Sequence, residues 1–229
     1  MKLTTLNTQG FDNWGARQAF VAEYIAAEKP DIIFFQEVVF LPDTAPFNQV
    51  QLLNKVLNYP YELSSVTRQQ DSTAYKVYRE GLATISRYPI MKSDTIVLQQ
   101  AEGDEHNRIV QLLDIEIDGE IIQFANIHFS LTDFVDYATA HLVELFEILA
   151  ARGEQRIIAG DFNMTHLENF EYMWDETYTA STQVPYVTFP AENKRVDYFL
   201  IPKSYSFTSI TTSGDSLSDH RAVTVEITS

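Results

Sequence analysis

The run Asp31-Ile-Ile-Phe-Phe-Gln-Glu-Val38 constrains the fold more than any other stretch of the chain. Four consecutive large apolar residues leave an extended segment no polar face, so a strand here must be covered on both sides. Pro30 stops a helix from running into it. The apolar character then breaks at Gln36 and Glu37, near the end of a strand that reads as central and buried. The stretch "RIIAGDFNMTHLENF" repeats the theme. A short apolar strand reaches Gly160, and Asp161 and Asn163 follow at once.

The remaining elements follow from periodicity and turn chemistry. "KLTTLNT" predicts a first strand, and "WGARQAFVAEYIAAEK" places Ala16, Phe20, Tyr24 and Ala27 at helical spacing. A second helix is expected from Pro46, a residue suited to a first helical turn, to Tyr59-Pro60. "YELSSV", "GLATIS" and "TIVLQ" read as strands, as do "IVQLLDIEI" and "EIIQFANIHF", which Asp118-Gly119 joins with a hairpin signal. A long amphipathic helix is expected over 134–151, with Leu142, Leu145, Phe146 and Leu149 on one side. "RIIAG", "VDYFLI" and "AVTVEI" complete the strands. Strands outnumber helices and most are hairpin-connected, which predicts an α+β chain with helices outside two stacked sheets. Stacking would bury the doubly apolar strands and bring distant strand ends to one rim.

A length of 229 residues is enough for a large core, and 1–229 reads as one domain without a linker. Hydrophobic residues at 45% and charged residues at 21% exclude disordered or collagen-like classes. No apolar run is long enough to cross a bilayer, no segment reads as a membrane anchor, and the N-terminus lacks a signal-peptide pattern. A cytoplasmic location is expected. The net charge of −16 argues against affinity built on neutralising many nucleic-acid phosphates. It leaves a nuclease open, because carboxylates gathered around a divalent cation count toward the same total.

Polar residues recur at the ends of apolar strands: Asn7, Glu37, His128, Asp161 with Asn163, and Asp219-His220 just before the last strand. A buried charge without a partner costs several kcal/mol, roughly, so such groups must be exposed, paired or holding a metal. Each alone has a structural reading: Asp161 as a cap, Asn7 as a turn former, His128 as a satisfied core histidine. The recurrence points to a shared site.

Six segments, "LNTQG", "FFQEV", "NIHF", "AGDFN", "RVDYFLIP" and "LSDHRAV", occur in this order, and from Asn7 to Val223 the chain resembles the endonuclease/exonuclease/phosphatase superfamily. The resemblance implies a four-layer α/β sandwich of two mainly antiparallel sheets flanked by helices. It also implies hydrolysis of a phosphate ester, which needs a hard cation, a base for water and donors for the developing charge. Glu37 would coordinate Mg²⁺, with Mn²⁺ as a substitute, and Asp219 and Asn7 would lie beside it. His220 would contact the phosphate or act as base, with Asp197 fixing its tautomer. Asp161 would orient or deprotonate the water, so the base is either Asp161 or His220, and Asn163 would hold the water or donate to phosphate. His128 matches a second histidine of the deoxyribonuclease branch, with Glu80 resembling the acid paired to it. Arg108 is a candidate phosphate contact through its forked donors, and Glu80 and Arg108 each also read as surface residues. The abasic-site endonuclease branch usually has an acid where this chain has Gln9.

Basic residues are scarce but cluster at Arg68, Lys76, Arg79, Arg87 and Lys92, with Lys194-Arg195 before Asp197. They suffice for one or two phosphates and not for a long duplex. The expected partner is therefore a small or short phosphodiester or phosphomonoester. A non-specific nuclease on DNA or RNA is the alternative, and a catalytically silent phosphate-binding module is a third. Nothing in the sequence fixes an oligomeric state.

Overall fold

A computed structural model describes residues 1–131 and 136–229. Among them run, in chain order, β1 (Lys2–Asn7), α1 (Trp14–Glu28), β2 (Ile32–Phe40), α2 (Gln49–Leu57), β3 (Tyr61–Gln70), β4 (Tyr78–Ser86), β5 (Ile90–Val97), β6 (Ile109–Ile117) and β7 (Glu120–His128). Then follow α3 (Tyr137–Arg152), β8 (Ile157–Asp161), β9 (Tyr178–Ala180), β10 (Asp197–Pro202), β11 (Ser206–Thr212) and β12 (Val223–Thr228). One sheet has the order β11-β12-β1-β2-β4-β3 and the other β5-β6-β7-β8-β10-β9. Pairing is antiparallel except between β1 and β2 and between β7 and β8, where a helix makes each crossover.

The apolar runs are explained by three apolar cores between packed layers. Ile32 and Phe34 of β2 point between the sheets, where they meet Leu113, Phe124, Ile157 and Phe199. Ile33 and Phe35 point the other way, beneath Val21 and Ile25 of α1 and Val50 and Leu53 of α2. The outer face of the second sheet packs under α3 through Leu142, Leu145 and Leu149. Each fully buried side chain of this size contributes about 1.5–3 kcal/mol. The result is the four-layer α/β sandwich, with the sheets inside and helices on both faces.

A polar belt lies between the sheets where the apolar alternation breaks. Gln36 Nε2 donates to Asn126 Oδ1 at 2.8 Å and to Thr5 Oγ1 at 3.1 Å, and Asn126 Nδ2 donates to the Ala83 carbonyl at 3.1 Å. Thr84 Oγ1 donates to Gln111 Oε1 at 2.7 Å. All five side chains are buried, and satisfied networks of this kind fix one register between packed sheets.

Several elements differ from the sequence expectation. The second helix begins at Gln49, not Pro46, because Asn48 forms a capping box with Gln51, while Pro46 lies in the preceding loop. Helix α1 buries Val21 and Ile25 while Ala16, Phe20 and Ala27 face outward, because apolar residues surround much of its circumference. Helix α3 starts at Tyr137 behind the Asp136 cap, and the expected turn from 134 falls partly outside the described residues. The polar strand β11 was not expected, since "SFTSITT" carries Ser and Thr on an edge.

Gly160 is the residue that lets β8 approach β7. Its φ is +146°, and a Cβ there would stand 2.0 Å from the Ile127 carbonyl oxygen. Gly160→Ala is therefore expected to cost about 3 kcal/mol or more by denaturant unfolding. Gly15→Ala in α1, where a Cβ meets nothing within 4 Å, should leave stability equal or higher. Equal midpoints for the two variants would refute the close-approach account.

Candidate active site

Strand register delivers the polar groups. His128 on β7 lies directly across from Asp161 on β8, and Asp161 lies across from Asp197 on β10, so three side chains form one row at the edge of the second sheet. Asn7 ends β1 on the first sheet beside Gln36 of β2. Between Phe35 and Val38 the β2–β4 register shifts, and Glu37 takes a φ of +53°. The bulge turns Glu37 toward the second sheet while Val38 returns to the core beneath the helices. A non-glycine residue in left-handed backbone at this point is strained, as residues at functional sites often are.

At the site the two sheets meet through the Asn7 carboxamide. Asn7 Nδ2 donates to Glu37 Oε1 at 3.1 Å and to Asp161 Oδ2 at 3.0 Å. His128 Nε2 stands 3.9 and 3.6 Å from the same two oxygens. Asn7 Oδ1 accepts from the Gln9 amide at 3.0 Å, so Asn7 presents its nitrogen and not its oxygen to the carboxylates. Asn163 sits two residues past Asp161: its amide donates to Asp161 Oδ1 at 2.8 Å, and its Nδ2 donates to the Phe129 carbonyl at 2.8 Å.

Opposite this group, His220 Nδ1 contacts Asp197 Oδ2 at 2.8 Å, and His220 Nε2 lies 4.0 Å from Asp161 Oδ2. Thr188 Oγ1 accepts from the amides of Val196 and Asp197, and the Phe189 ring packs on His220 with centroids 5.1 Å apart. Asp219 is exposed on the rim of the same cavity. The loop that carries it is tied to the β1 loop, since Gln9 Oε1 accepts from the Asp219 amide at 3.2 Å. Arg17 adds a second tie, donating to the carbonyls of Leu217 at 2.7 Å and Thr8 at 3.0 Å. Sequence reading missed Arg17, although it shares the inner face of α1 with Trp14 and Val21. It also missed Thr188, for which no pattern in the sequence is a signal.

Arg108 is buried, lines the cavity and points Nη1 at His128 Nδ1 at 3.0 Å. Its Nε has no partner, and among the described residues it forms no ion pair. Glu80 is also buried, but it pairs with Arg68 at 2.9 Å and not with His128. The expected Glu80–His128 pair is thus corrected. β3 sets Arg68 directly across from Glu80, whereas His128 receives its hydrogen bond from Arg108 on the neighbouring loop. Arg108 is likewise no surface arginine.

Environment separates the titrating groups. Burial, then the neighbouring Asp197, raises Asp161 to about 7. Burial opposes the charged form of His220, but the Asp197 carboxylate outweighs it and raises the imidazole to about 10. Burial and then Arg108 hold His128 well below its ordinary value, and burial and then Glu80 raise Glu37. The cavity these groups line has a volume of about 600 Å³. Asp161, Asp197 and His220 also offer ligand atoms within 4.8 Å of one another, a group that could hold a metal.

Because His220 is raised above its unfolded value, it contributes stability that is full below about pH 6.5 and is lost as pH rises toward about 10. Asp197→Asn should return the His220 midpoint toward 6.5 in a metal-free NMR titration and erase that part of the stability profile. An unchanged midpoint would show that Asp197 does not set the charge of His220.

A profile described as the Endonuclease/Exonuclease/phosphatase family matches residues 4–220. No curated protein sequence matches the chain. Solved structures show the same fold. A family protein from Leptotrichia buccalis superposes with a TM-score of 0.79 at 20% identity, covering 100% of this chain and 99% of the other. A mannosyl-6-phosphatase from Bacteroides thetaiotaomicron gives 0.71 at 17% identity over 100% and 99%. The human Nocturnin catalytic domain with bound sulfate gives 0.73 at 17% identity over 100% and 94%. With the profile spanning nearly the whole chain and the ordered strand-end residues converging on one cavity, the protein belongs to the endonuclease/exonuclease/phosphatase family of phosphoesterases and nucleases.

Proposed function

We propose that the whole chain forms one catalytic unit, a divalent-cation-dependent phosphoesterase that cleaves a small or short phosphodiester or phosphomonoester by in-line attack of water. The observation that supports it most is the placement of buried carboxylates opposite Arg108, a buried guanidinium with no ion-pair partner among the described residues. A phosphate between them would pair with the arginine on one side and meet the acids through a cation on the other. A cavity of about 600 Å³ and a net charge of −16 suit a small ester better than a long duplex.

The donor set fits a hard cation. Glu37 Oε1 and Asp161 Oδ2 both lie within hydrogen-bond distance of one Asn7 nitrogen, so two carboxylate oxygens converge on one place. Oxygen ligands with room for water suit Mg²⁺ or Mn²⁺. Glu37 would hold the ion from below and Asp219 from the rim. Asn7, as oriented, acts as a donor that spaces the acids, and would have to turn its amide to ligate. The ion, when bound, supplies charge to a phosphoryl oxygen. Asp197 keeps His220 protonated, which makes His220 a donor to the phosphate and leaves Asp161, near neutrality, as the base that takes the proton of water. Asn163 fixes Asp161 through its amide, and His128, neutral beside Arg108, donates from Nε2.

Asp161→Asn and His220→Asn should each lower kcat by about 10²–10⁴ with folded circular dichroism. The substrates to assay are p-nitrophenyl phosphate, its bis ester and plasmid DNA, with Mg²⁺ and with EDTA. Faster cleavage of plasmid would favour the nuclease reading, and no EDTA-sensitive turnover would leave a phosphate-binding module. Asp161, raised by burial, contributes stability below about pH 4 that is lost as pH rises through about 7. A cation offsets that loss, so the Mg²⁺-induced rise in Tm should grow between pH 5 and pH 8. A rise independent of pH would count against metal binding at these carboxylates.

A further inference from the structure

The Arg108–His128 contact has a twin in the same cavity. Arg68 Nη1 contacts His106 Nδ1 at 2.5 Å, while Arg68 Nε and Nη2 reach Glu80 Oε1 at 3.0 and 2.9 Å. The β3–β4 register shifts between Val66 and Arg68, and this sets Arg68 across from Glu80 on the neighbouring strand. The Asp104 carboxylate accepts from the His106 amide at 2.9 Å and holds its loop. Arg68 and His106 line the cavity together with Arg108 and His128.

A guanidinium has only donors, so in both contacts the histidine Nδ1 must accept. The remaining ring proton then belongs to Nε2. His106 is held below its ordinary value, first by burial and then by Arg108 and Arg68, which keeps this neutral tautomer at pH 7. This wall of the cavity therefore offers N–H groups and no acceptor. Glu80 neutralises Arg68 from behind and is itself buried away from the cavity lining. Such a wall favours groups that only accept, and a hydroxyl, amide or ammonium would waste or oppose its donors.

We propose that Arg68 and His106 form a second anion subsite, and that the substrate is a small phosphate ester carrying a further phosphate or carboxylate. The phosphoesterase reading enters only in assigning the first phosphate, at Arg108 and His128, as the one that is cleaved.

The test is calorimetric binding at saturating Mg²⁺ of inorganic phosphate, methylenebisphosphonate and phosphonoacetate, none of which requires turnover. Wild type should bind one of the linked dianions at least about tenfold more tightly than phosphate. Which of the two is tighter identifies the second group as phosphate or carboxylate. His106→Ala and the paired Arg68→Met/Glu80→Met variant should lose that advantage while holding phosphate affinity within about twofold. His106→Gln, which keeps a donor near Nε2, should restore it. No advantage in wild type overturns the subsite, as does one that survives both variants, the pattern that metal capture by the bisphosphonate alone would give. A protein that shows the advantage but never turns over a phosphate ester would refute the phosphoesterase reading and leave the subsite standing.

Discussion

One carboxamide sets the distance between carboxylates that would otherwise repel. Asn7 Nδ2 donates to Glu37 on its own sheet and to Asp161 on the other, so the two sheets are joined where each presents a negative charge. Asp161 is buried and Glu37 half-buried, burial raises both, and a bound cation or a shared donor is what makes such a pair tolerable. The rest of the site is arranged around that contact. The β2 bulge delivers Glu37, the absent side chain of Gly160 lets β8 close on β7, and the Gln36–Asn126 bond beneath holds the sheets in register.

The polar belt under the site explains why the apolar strands stop where they do. Above it, Asn7, Glu37 and Asp161 need water, a ligand or an ion; below it, Ile32, Phe34, Phe124 and Phe199 form a dry core. Thr5, Gln36, Asn126 and Gln111 satisfy one another between the two regions. A side chain from this belt cannot be exchanged for an apolar one without orphaning its neighbours. Stability and placement of the acids are therefore coupled through the same hydrogen bonds.

Much of this was legible in the sequence because strands state their burial directly. Ile32 to Phe35 announced a doubly covered strand, and the polar residues at five strand ends announced a shared rim. The order of the strand-end motifs also picked out His128, Asp161 and Asp197, which the register sets in one row, and His220, which contacts Asp197 from the loop before β12. What the sequence concealed depends on partner choice across strands. Glu80 resembled a partner for His128, yet the β3 bulge gave it Arg68, and no one-dimensional spacing encodes that register. Arg108 read almost as readily as a surface residue, because its burial depends on tertiary packing around the loop that carries it. Arg17 was hidden for a different reason: its partners are backbone carbonyls, which carry no sequence signature.

The net charge of −16 describes the surface of the molecule and misdescribes its cavity. Acid is gathered on one side, where burial raises Glu37 and Asp161 and a cation would be welcome. On the other side Arg108 forms no ion pair among the described residues, and the His128 and His106 imidazoles are held neutral first by burial and then by the guanidiniums. His220 is the exception, protonated because Asp197 sits on its far nitrogen. His106, His128 and His220 thus differ in protonation, the first two with an arginine at Nδ1 and the third with an aspartate there. An anion entering such a pocket meets donors whose protons are already in place, and the acidic surface outside disfavours polyanions too long to fit within it.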